Sequence, residues 1–553
     1  MMNFNDIKCR GDLAIFLGIS LKKLTYILYI KKTENCYKTF EIPKKNGDMR
    51  QINAPQDELK EIQRKLADAL WKHHSEYVKM NNIQTNVSHA FEEKKGIITN
   101  AAIHRKKQYI LNVDLENFFD SFHFGRVRGF FEKNREFRLP IEVATVIAQL
   151  ACYKGCLPQG APSSPIITNL ICNILDMRLI SISRKYRLDY TRYADDMTFS
   201  TNDSKFIKNK EKFLTEITVE IEKCGFLINN NKTRLVYKNS RQEVTGLVVN
   251  KKLNVNREYC KTTRAMANAL YREGKFQIND FDGTINQLEG RFAFINQLDY
   301  YNNKNDHDKK HTIWKLNSRE KQYQKFLFYK YFYSNSKPLI VTEGKTDILY
   351  IKAALKQNYS KYPKLVTKKD NNFEFSISFL ARTKRLKYFL NIQQDGADTM
   401  LNIYNLYSGK NNYPNLYDFF KNQGTFYHKN PVILVFDNEQ ESEKPLKKFI
   451  KHTGITQKPF QSGYNICGNL FIVTNPLVEG KNECEIEDLF DTSVLSTKID
   501  EKNFSRSSTF DEKQYYGKTI FSEYILKNYK TIDFSKFMPL LDDLNNIIER
   551  HEK

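Results

Sequence analysis

The stretch YADDMTF at residues 193–199 decides the fold of the first half of the chain. Apolar and β-forming residues flank the pair Asp195 and Asp196, a pattern that predicts a strand, a tight turn and a returning strand. Two adjacent carboxylates at the tip of a hairpin repel each other unless cations neutralise them. A lone pair of this kind is usually a turn with solvated acids, so the assignment depends on the rest of the chain.

A third aspartate stands near the end of an earlier predicted strand. Residues 108–115 (QYILNVDL) are β-rich and contain Asp114. If the two strands are neighbours, Asp114 converges with Asp195 and Asp196. Oxygen ligands suit Mg²⁺, and two such ions about 3.5–4 Å apart activate an attacking hydroxyl and stabilise a leaving pyrophosphate. The three aspartates therefore predict a nucleotidyl-transfer site.

Composition limits the remaining choices. The chain has 553 residues, enough for about three domains. Residues 1–334 carry 56 basic and 37 acidic side chains, whereas the remainder carries 31 and 27, so the basic excess lies in the first part. Phosphate is the partner that this field favours, although solubility and anionic lipid are alternatives. The 9 cysteines include no C-x-x-C pair, and no apolar run reaches membrane-spanning length, so we expect a cytoplasmic protein without membrane contact.

Further segments resemble reverse transcriptases from about residue 40 to 300. The order is IPKKNG at 42–47 followed by Arg50, then LPQGAPSSP at 157–165, then the Asp-Asp hairpin. The resemblance implies a right-hand polymerase with Mg²⁺ at the three aspartates and deoxynucleotides as substrates. It assigns Lys44 and Arg50 to the fingers segment that receives the triphosphate, and Phe119 to the sugar. It assigns Gln159 and Gly160 to the loop under the templating pair, where the glycine lets the backbone approach the nucleotide. An ordinary core phenylalanine is the alternative for Phe119.

Two short signatures are similar to those of retron reverse transcriptases. Residues 100–104 read NAAIH and residues 244–246 read VTG. The resemblance assigns RNA contacts to Asn100, His104, Val244, Thr245 and Gly246. It also implies a cognate noncoding RNA, priming from a guanosine 2′-OH, and a branched RNA–DNA product called msDNA. A polar pair bracing a helix against the palm is the alternative for the first signature, and an intron-maturase reverse transcriptase is the alternative family.

The second half carries another set of acids at predicted strand ends. The apolar run at 338–342 leads into Glu343, and the run at 431–436 delivers Asp437 and Glu439. Ligands bind at the carboxyl ends of strands in open α/β sheets. The pattern resembles the TOPRIM domain, with Glu343 as general acid or base and with Mg²⁺ or Mn²⁺ held by Asp437, Glu439 and Glu441. Glu439 stands where the motif usually has an aspartate, and its side chain is one methylene longer. Glu485, Glu487 and Asp488 are either further metal ligands or acids at the start of a helix.

The expected architecture is a multidomain α/β and α+β protein in which a reverse transcriptase precedes a Rossmann-like TOPRIM domain. We expect fingers and palm to about residue 250, a thumb at 251–320, a linker at 321–337 and the TOPRIM domain with a helical extension at 338–553. Basic and aromatic residues interleave at 255–330, as in a nucleic-acid cradle or a solvated helix face. The resemblance implies bacterial antiphage defence, a nuclease acting on cellular or phage nucleic acid, and a homo-oligomer around msDNA. A TOPRIM domain that only binds is the competing hypothesis.

Overall fold

The computed structural model forms two compact units, Met1–Asn256 and Arg257–Lys553. The residues described are 4–44, 47–83, 87–304, 313–370, 372–393, 398–423, 429–439, 444–455, 463–507 and 509–552. A linker was expected at 321–337, but Ser318–Phe328 is an α-helix that continues as a π-helical turn at Tyr329–Tyr333, with buried aromatic side chains. The aromatic residues that follow the polar stretch pack into the core of the second unit, which is why composition gave a false linker.

The first unit contains eight α-helices and eight strands among its described residues. The helices are α1 Arg10–Phe16, α2 Leu21–Thr25, α3 Asp57–Met80, α4 Ile97–Ile103, α5 Phe124–Lys133, α6 Ile141–Ala151, α7 Ser164–Lys185 and α8 Lys205–Lys223. The strands are β1 Tyr37–Pro43, β2 Met49–Pro55, β3 Tyr109–Leu115, β4 Asp189–Tyr193, β5 Asp196–Thr201, β6 Ile228–Tyr237, β7 Glu243–Val244 and β8 Leu247–Val248. The predicted strand at 108–115 and the hairpin at 193–199 are confirmed by β3, β4 and β5.

A four-stranded antiparallel sheet in the order β4-β5-β3-β6 carries the aspartates. Side chains alternate along a strand, so Asn112 and Asp114 share one face of β3. The opposite face is apolar, and Phe199 packs there against Phe213 of α8 with ring centroids 5.1 Å apart. One sheet face therefore builds the core while the other is left for polar side chains.

Helix α7 crosses behind this sheet and is unusually apolar. Within the described residues it is the only unbroken helix long and apolar enough to span a membrane, and 61% of that apolar window is buried in the protein. The bent pair Arg10–Phe16 and Leu21–Lys31 also passes that test, with a 116° angle at the break. Buried residues of α7 such as Leu175 and Leu179 belong to the core of the first unit, as expected of an interior helix.

The second unit begins with helices and continues as an α/β layer structure. Its helices are α9 Arg257–Glu273, α10 Ile285–Lys304, α11 Ser318–Phe328, α12 Asp347–Gln357, α13 Lys384–Leu390, α14 Asp398–Ser408, α15 Leu416–Lys421, α16 Pro445–Thr453, α17 Thr492–Leu495, α18 Lys518–Lys527 and α19 Met538–Glu552. Its strands are β9 Gln277–Ile278, β10 Phe281–Asp282, β11 Leu339–Thr342, β12 Val366–Lys369, β13 Asn372–Phe375, β14 Ser378–Phe379, β15 Val432–Phe436, β16 Tyr464–Cys467, β17 Leu470–Thr474, β18 Asn503–Phe504 and β19 Tyr515–Tyr516.

The main sheet of the second unit has the order β14-β11-β15-β17-β16. Strands β14, β11, β15 and β17 run parallel, and β16 is an antiparallel edge strand. Strands β11 and β15 are buried along their whole length, as strands covered on both faces are. Their carboxyl ends lie side by side, which is where the second acidic set was expected from the sequence.

Candidate functional site

The sheet of the first unit brings Asp114, Asp195 and Asp196 together. Asp114 is the register partner of Asp196, and the amide of Leu115 donates to the carbonyl of Asp195 at 3.2 Å. Burial, then the charges of Asp195 and Asp114, raise the pKa of Asp196 to about 7. The expected convergence is therefore present in the fold, and the carboxylates are close enough to repel one another.

Two cations face this set of carboxylates. The ammonium of Lys232 on β6 lies 2.9 Å from Oδ1 of Asp114. Burial raises the pKa of Asp195, as does the charge of Asp114, and the positive charges of Lys232 and Arg50 oppose that rise. Arg50, assigned to the incoming triphosphate, thus lies within electrostatic reach of the aspartates. The pairing of Lys232 with Asp114 was not predicted from the sequence.

A cavity of about 550 Å³ opens beside the aspartates. Asp114 and Asp196 line one side, and Thr245 and Gly246 of the VTG signature line another. Thr245 and Gly246 both have positive φ, and the Thr245 hydroxyl donates to the carbonyl of Ile97 at 3.4 Å. These two residues therefore stand where an occupant of the cavity would meet them, whereas Val244 is buried in the core.

The NAAIH signature is not an exposed RNA-binding surface. Asn100 is 1% exposed and His104 is 0% exposed. The ring of His104 is hydrogen-bonded to the hydroxyls of Thr191 and Ser200 on β4 and β5, both at 2.7 Å, and burial lowers its pKa to about 3. The prediction that these two side chains contact RNA directly was wrong, because Asn100 in α4 and His104 directly after it are both turned inward. His104 fits the alternative given for this signature, a polar side chain that braces the helix against the sheet.

Gly160 serves a close approach within the protein. Its φ is +120°, and a Cβ there would lie 2.9 Å from Cγ2 of Ile52 and 3.0 Å from the carbonyl oxygen of Asn53. The neighbouring carbonyl of Gln159 accepts from the amide of Asn53 at 2.9 Å. Gly160 was expected to allow the approach of a nucleotide, but strand β2 is what occupies the space. The glycine therefore joins the loop at 157–165 to β2.

The remaining predicted substrate residues occupy accessible positions. Lys44 is exposed where β1 ends, and its amide donates to the carbonyl of Asp48 across the hairpin at 2.7 Å. Phe119 is half-buried in the turn after β3, where its ring meets Phe118 edge to face at 5.4 Å. The structure keeps part of Phe119 available to a ligand.

A buried ion pair lies under the turn at Ala194 and Asp195, called the catalytic turn below because it carries one of the three aspartates, and it was not predicted from the sequence. Arg192 is fully buried and donates to Oδ2 of Asp176 at 2.8 Å and to Oδ1 at 2.9 Å. Its other nitrogen donates to the carbonyl of Ala194 at 3.2 Å. Ala194 has a φ of +56°, which costs a residue with a Cβ. Arg192 therefore holds the residue that precedes Asp195 in a strained conformation.

The second unit brings its predicted acids to one edge of the parallel sheet. Glu343 follows β11 and Asp437 follows β15, and Oε1 of Glu343 accepts from the amide of Asp437 at 3.1 Å. Burial, then repulsion by Asp347 and Glu439, raises the pKa of Glu343 to about 7. Burial and the neighbouring acids, Glu343 first, also raise the pKa of Asp437. The predicted strand-end acidic set is therefore assembled in the fold.

Polar neighbours hold this acidic set in place. Oδ1 of Asp437 accepts from the side chain of Asn475 at 2.7 Å and from the amide of Ile486 at 2.9 Å. Glu439 forms an ion pair of 2.8 Å with Lys444. Glu441 lies outside the described residues. Asn475, which follows β17, was not predicted from the sequence because no recognisable motif surrounds it.

Glu487 and Asp488 take different roles, one in the acidic set and the other at the start of a short helical turn. Asp488 accepts from the amide of Glu485 at 2.9 Å and so caps a short helical turn. Glu487 is fully buried, raises the pKa of Asp437 by repulsion, and forms an ion pair of 3.0 Å with Lys518. Glu487 therefore belongs to the acidic set, whereas Asp488 belongs to the turn.

Neither acidic set is a ready-made metal cage. Among the described residues, no group of three or more His, Cys, Asp and Glu side chains has its ligand atoms gathered to hold an ion. The donors are nevertheless the hard carboxylate oxygens that Mg²⁺ prefers. Burial, and then repulsion by neighbouring acids, raises the pKa values of Asp196 and Asp437, and a divalent cation would offset both effects. The residues fit a divalent cation in chemistry, and binding would require small side-chain movements.

An antiparallel sheet with three acids at its strand ends and hairpin turn, helices behind it and a cavity in front is the arrangement of a nucleotidyl-transfer palm. The family model described as "Reverse transcriptase (RNA-dependent DNA polymerase)" matches residues 42–254, all within the first unit. It includes all three aspartates and the VTG signature.

Curated relatives narrow the class. The retron Ec86 reverse transcriptase of Escherichia coli is 34% identical over 295 residues, covering 52% of this chain and 84% of that protein. The retron Mx162 reverse transcriptase of Myxococcus xanthus is 32% identical over 318 residues, and this chain spans 63% of its length. The retron Mx65 reverse transcriptase of Myxococcus xanthus is 30% identical, with 67% of its length covered. The chain belongs to the retron reverse transcriptase family.

Replacing Arg192 with lysine tests whether the interior of the unit sets the geometry of the catalytic turn. Lysine keeps the charge beside Asp176 but lacks the fork that also reaches Ala194. We expect the rate of primer extension per folded molecule to fall about tenfold to a hundredfold. Tyr190→Phe is the matched control, because it removes a 2.9 Å hydrogen bond to Asp176 without touching Ala194. Equal rates for both variants would contradict the positioning role.

Proposed function

We propose that the first unit copies part of a cognate noncoding RNA into DNA and makes msDNA. The supporting observation is the convergence of Asp114, Asp195 and Asp196 beside a cavity of about 550 Å³ in a retron reverse transcriptase. Priming from a guanosine 2′-OH, and the resulting 2′,5′ linkage, are carried over from the family resemblance. The substrates are deoxynucleoside triphosphates.

The side chains of the first unit suit this chemistry. Asp114, Asp195 and Asp196 would hold Mg²⁺, which when bound activates the attacking hydroxyl and stabilises the leaving pyrophosphate. Arg50 would supply positive charge to an incoming triphosphate. Its charge acts on Asp195, because it opposes the rise in the pKa of that carboxyl. Lys232, 2.9 Å from Asp114, would supply positive charge beside the residues that hold the cation. Thr245 and Gly246 line the cavity where the primer RNA would lie.

Asp195→Asn should abolish DNA synthesis without unfolding the protein. The change keeps the size of the side chain but removes one negative ligand of the site. Primer extension with Mg²⁺ measures the loss, and thermal melting measures the fold. Asp189→Asn is the control, because Asp189 is an exposed acid at the other end of the same hairpin. Undiminished extension by Asp195→Asn would refute the assignment.

Phe119→Ala should admit ribonucleotides if the ring excludes the 2′-OH. Discrimination against a single hydroxyl relies on a clash in a filled site, and the smaller side chain removes it. Extension with ribonucleotides against deoxynucleotides gives the selectivity ratio. Phe118→Ala is the matched control, since Phe118 is a core residue at 4% exposure whose loss costs about 3–5 kcal/mol. An early-melting Phe119 variant with wild-type selectivity would favour the core role.

For the second unit we propose a TOPRIM nuclease that acts as the effector of an antiphage defence system in the bacterial cytoplasm. Glu343 would serve as general acid or base, and its raised pKa suits proton transfer near neutral pH. Asp437 and Glu439 would hold Mg²⁺ or Mn²⁺, and Glu441 is a further candidate from the sequence. The msDNA complex would restrain this activity, with a homo-oligomer around msDNA as the assembly.

The competing proposal is a TOPRIM domain that only binds nucleic acid or a protein partner. The ion pair of Glu439 with Lys444 is the observation that favours it, because the ammonium occupies one candidate ligand. The buried acidic set favours catalysis, because a binding surface has no need of Glu343 and Asp437 in one interior cluster. Metal-dependent cleavage by the full chain separates the two proposals.

Glu343→Gln should separate the two activities. The change keeps size and hydrogen bonding while it removes proton transfer and charge. Cells with this variant should accumulate msDNA but lose phage protection, and the purified chain should lose metal-dependent cleavage while it still extends primers. Asp195→Asn should lose msDNA and protection together, and Glu374→Gln, an exposed acid paired with Lys369, should lose neither. Full protection by Glu343→Gln cells would leave a binding role for the second unit.

A further inference from the structure

A lysine from outside the acidic set of the second unit reaches one of its members. The ammonium of Lys444 lies 2.8 Å from Oε1 of Glu439, one of the expected metal ligands. The side chain of Glu439 is 9% exposed, whereas that of Lys444 is 46% exposed. The stem of the lysine therefore comes in from solvent, and its charged end meets an almost buried carboxylate.

The backbone is fixed on both sides of this ion pair. Asn438, directly before Glu439, forms an antiparallel bridge with Cys484 through two amide–carbonyl hydrogen bonds of 2.8 and 3.0 Å. Lys444 is the N-cap of α16, and its carbonyl accepts from the amide of Lys448 at 3.1 Å. Lysine has a flexible four-carbon stem, so rotation of that side chain alone separates the pair.

The charge of Lys444 acts on more of the acidic set than Glu439. Burial and neighbouring acids raise the pKa of Glu343, and the ammonium of Lys444 opposes that rise. The hydrogen bond to Glu439 raises the pKa of Lys444 itself, and the charges of Glu485 and Glu483 add to the rise. These four acids come from three separate segments of the chain. Lys444 therefore acts as a counter-ion to several acids at once.

We propose that Lys444 is an internal competitor for the divalent cation of the second unit, and that the cation enters by displacing the ammonium from Glu439. This inference rests on the proposed metal site at Asp437 and Glu439. A doubly charged ion gains more from the same carboxylates than a singly charged ammonium does. The displaced lysine side chain returns to solvent, where its charge is fully hydrated.

Competition differs from a permanent replacement of the metal by the lysine. A lysine that replaces the cation permanently predicts no metal binding, whereas a competitor predicts binding that becomes tighter once the charge of the lysine is removed. The ion pair would then set the metal concentration at which the second unit becomes active. That concentration would be higher than the acids alone require.

Titration with Mn²⁺ measures the competition directly, because electron paramagnetic resonance counts the unbound ion. All chains carry Asp195→Asn, which weakens the polymerase site, and binding that Asp437→Asn removes is assigned to the second unit. Lys444→Gln should tighten that binding about threefold to thirtyfold, because a charged competitor is removed. Lys448→Gln removes the same charge one helical turn away at an exposed position, so it should change the affinity less than about twofold.

A variant that keeps the charge completes the comparison. Lys444→Arg should stay within about threefold of wild type in Mn²⁺ affinity, because a guanidinium also pairs with a carboxylate. Thermal melting shows whether each variant is folded at the temperature of the titration. The metal concentration that gives half-maximal cleavage should fall in Lys444→Gln by the same factor as the dissociation constant.

Two results would overturn the proposal. If Lys444→Gln and Lys448→Gln bind Mn²⁺ equally and Asp437→Asn still abolishes that binding, the metal site stands but Lys444 does not compete for it. If no variant shows binding that depends on Asp437, the lysine is a permanent partner of Glu439. The proposed metal-dependent nuclease then fails together with the competition.

Discussion

Repulsion among three carboxylates is the constraint around which the first unit is arranged. Asp114 and Asp196 face each other across paired strands, and the pKa of Asp196 rises to about 7 as a result of burial and of its charged neighbours. Such a cluster costs free energy, so it stays assembled only because the rest of the fold holds it rigidly. The sheet register, the strained residue before Asp195 and the buried Arg192 pair all supply that rigidity. The cavity of about 550 Å³ in front of the cluster stays open.

Much of this arrangement was predictable because local periodicity and motif order agree with each other. The hairpin around Asp195, strand β3 with Asp114, and the strand ends carrying Glu343 and Asp437 all appear where alternation and turn chemistry placed them. These are short-range patterns, or pairs of strands whose register the hydrophobic alternation fixes. The structure shows two acidic sets in two units, as expected from the sequence.

The features that escaped prediction depend on burial and on contacts between distant residues. His104 looks like an exposed polar residue in sequence, yet it bonds to Thr191 and Ser200 far along the chain. The stretch at 321–337 looks polar at its start, but its aromatic residues form part of a core. Asn475 and Lys518 reach the second acidic set from segments without any motif. A single sequence does not reveal which polar side chains turn inward.

The catalytic turn is anchored from behind. The guanidinium of Arg192 reaches the carbonyl of Ala194 from the interior of the protein, so this contact with the turn is made on the side away from the cavity. Thr245 and Gly246, which line the cavity, are not part of this anchor and can change without disturbing it. A lineage of such enzymes is free to alter its front surface to suit a new RNA while it keeps the same chemistry. In evolutionary terms, the residues that carry the reaction and the residues that meet the RNA can change independently.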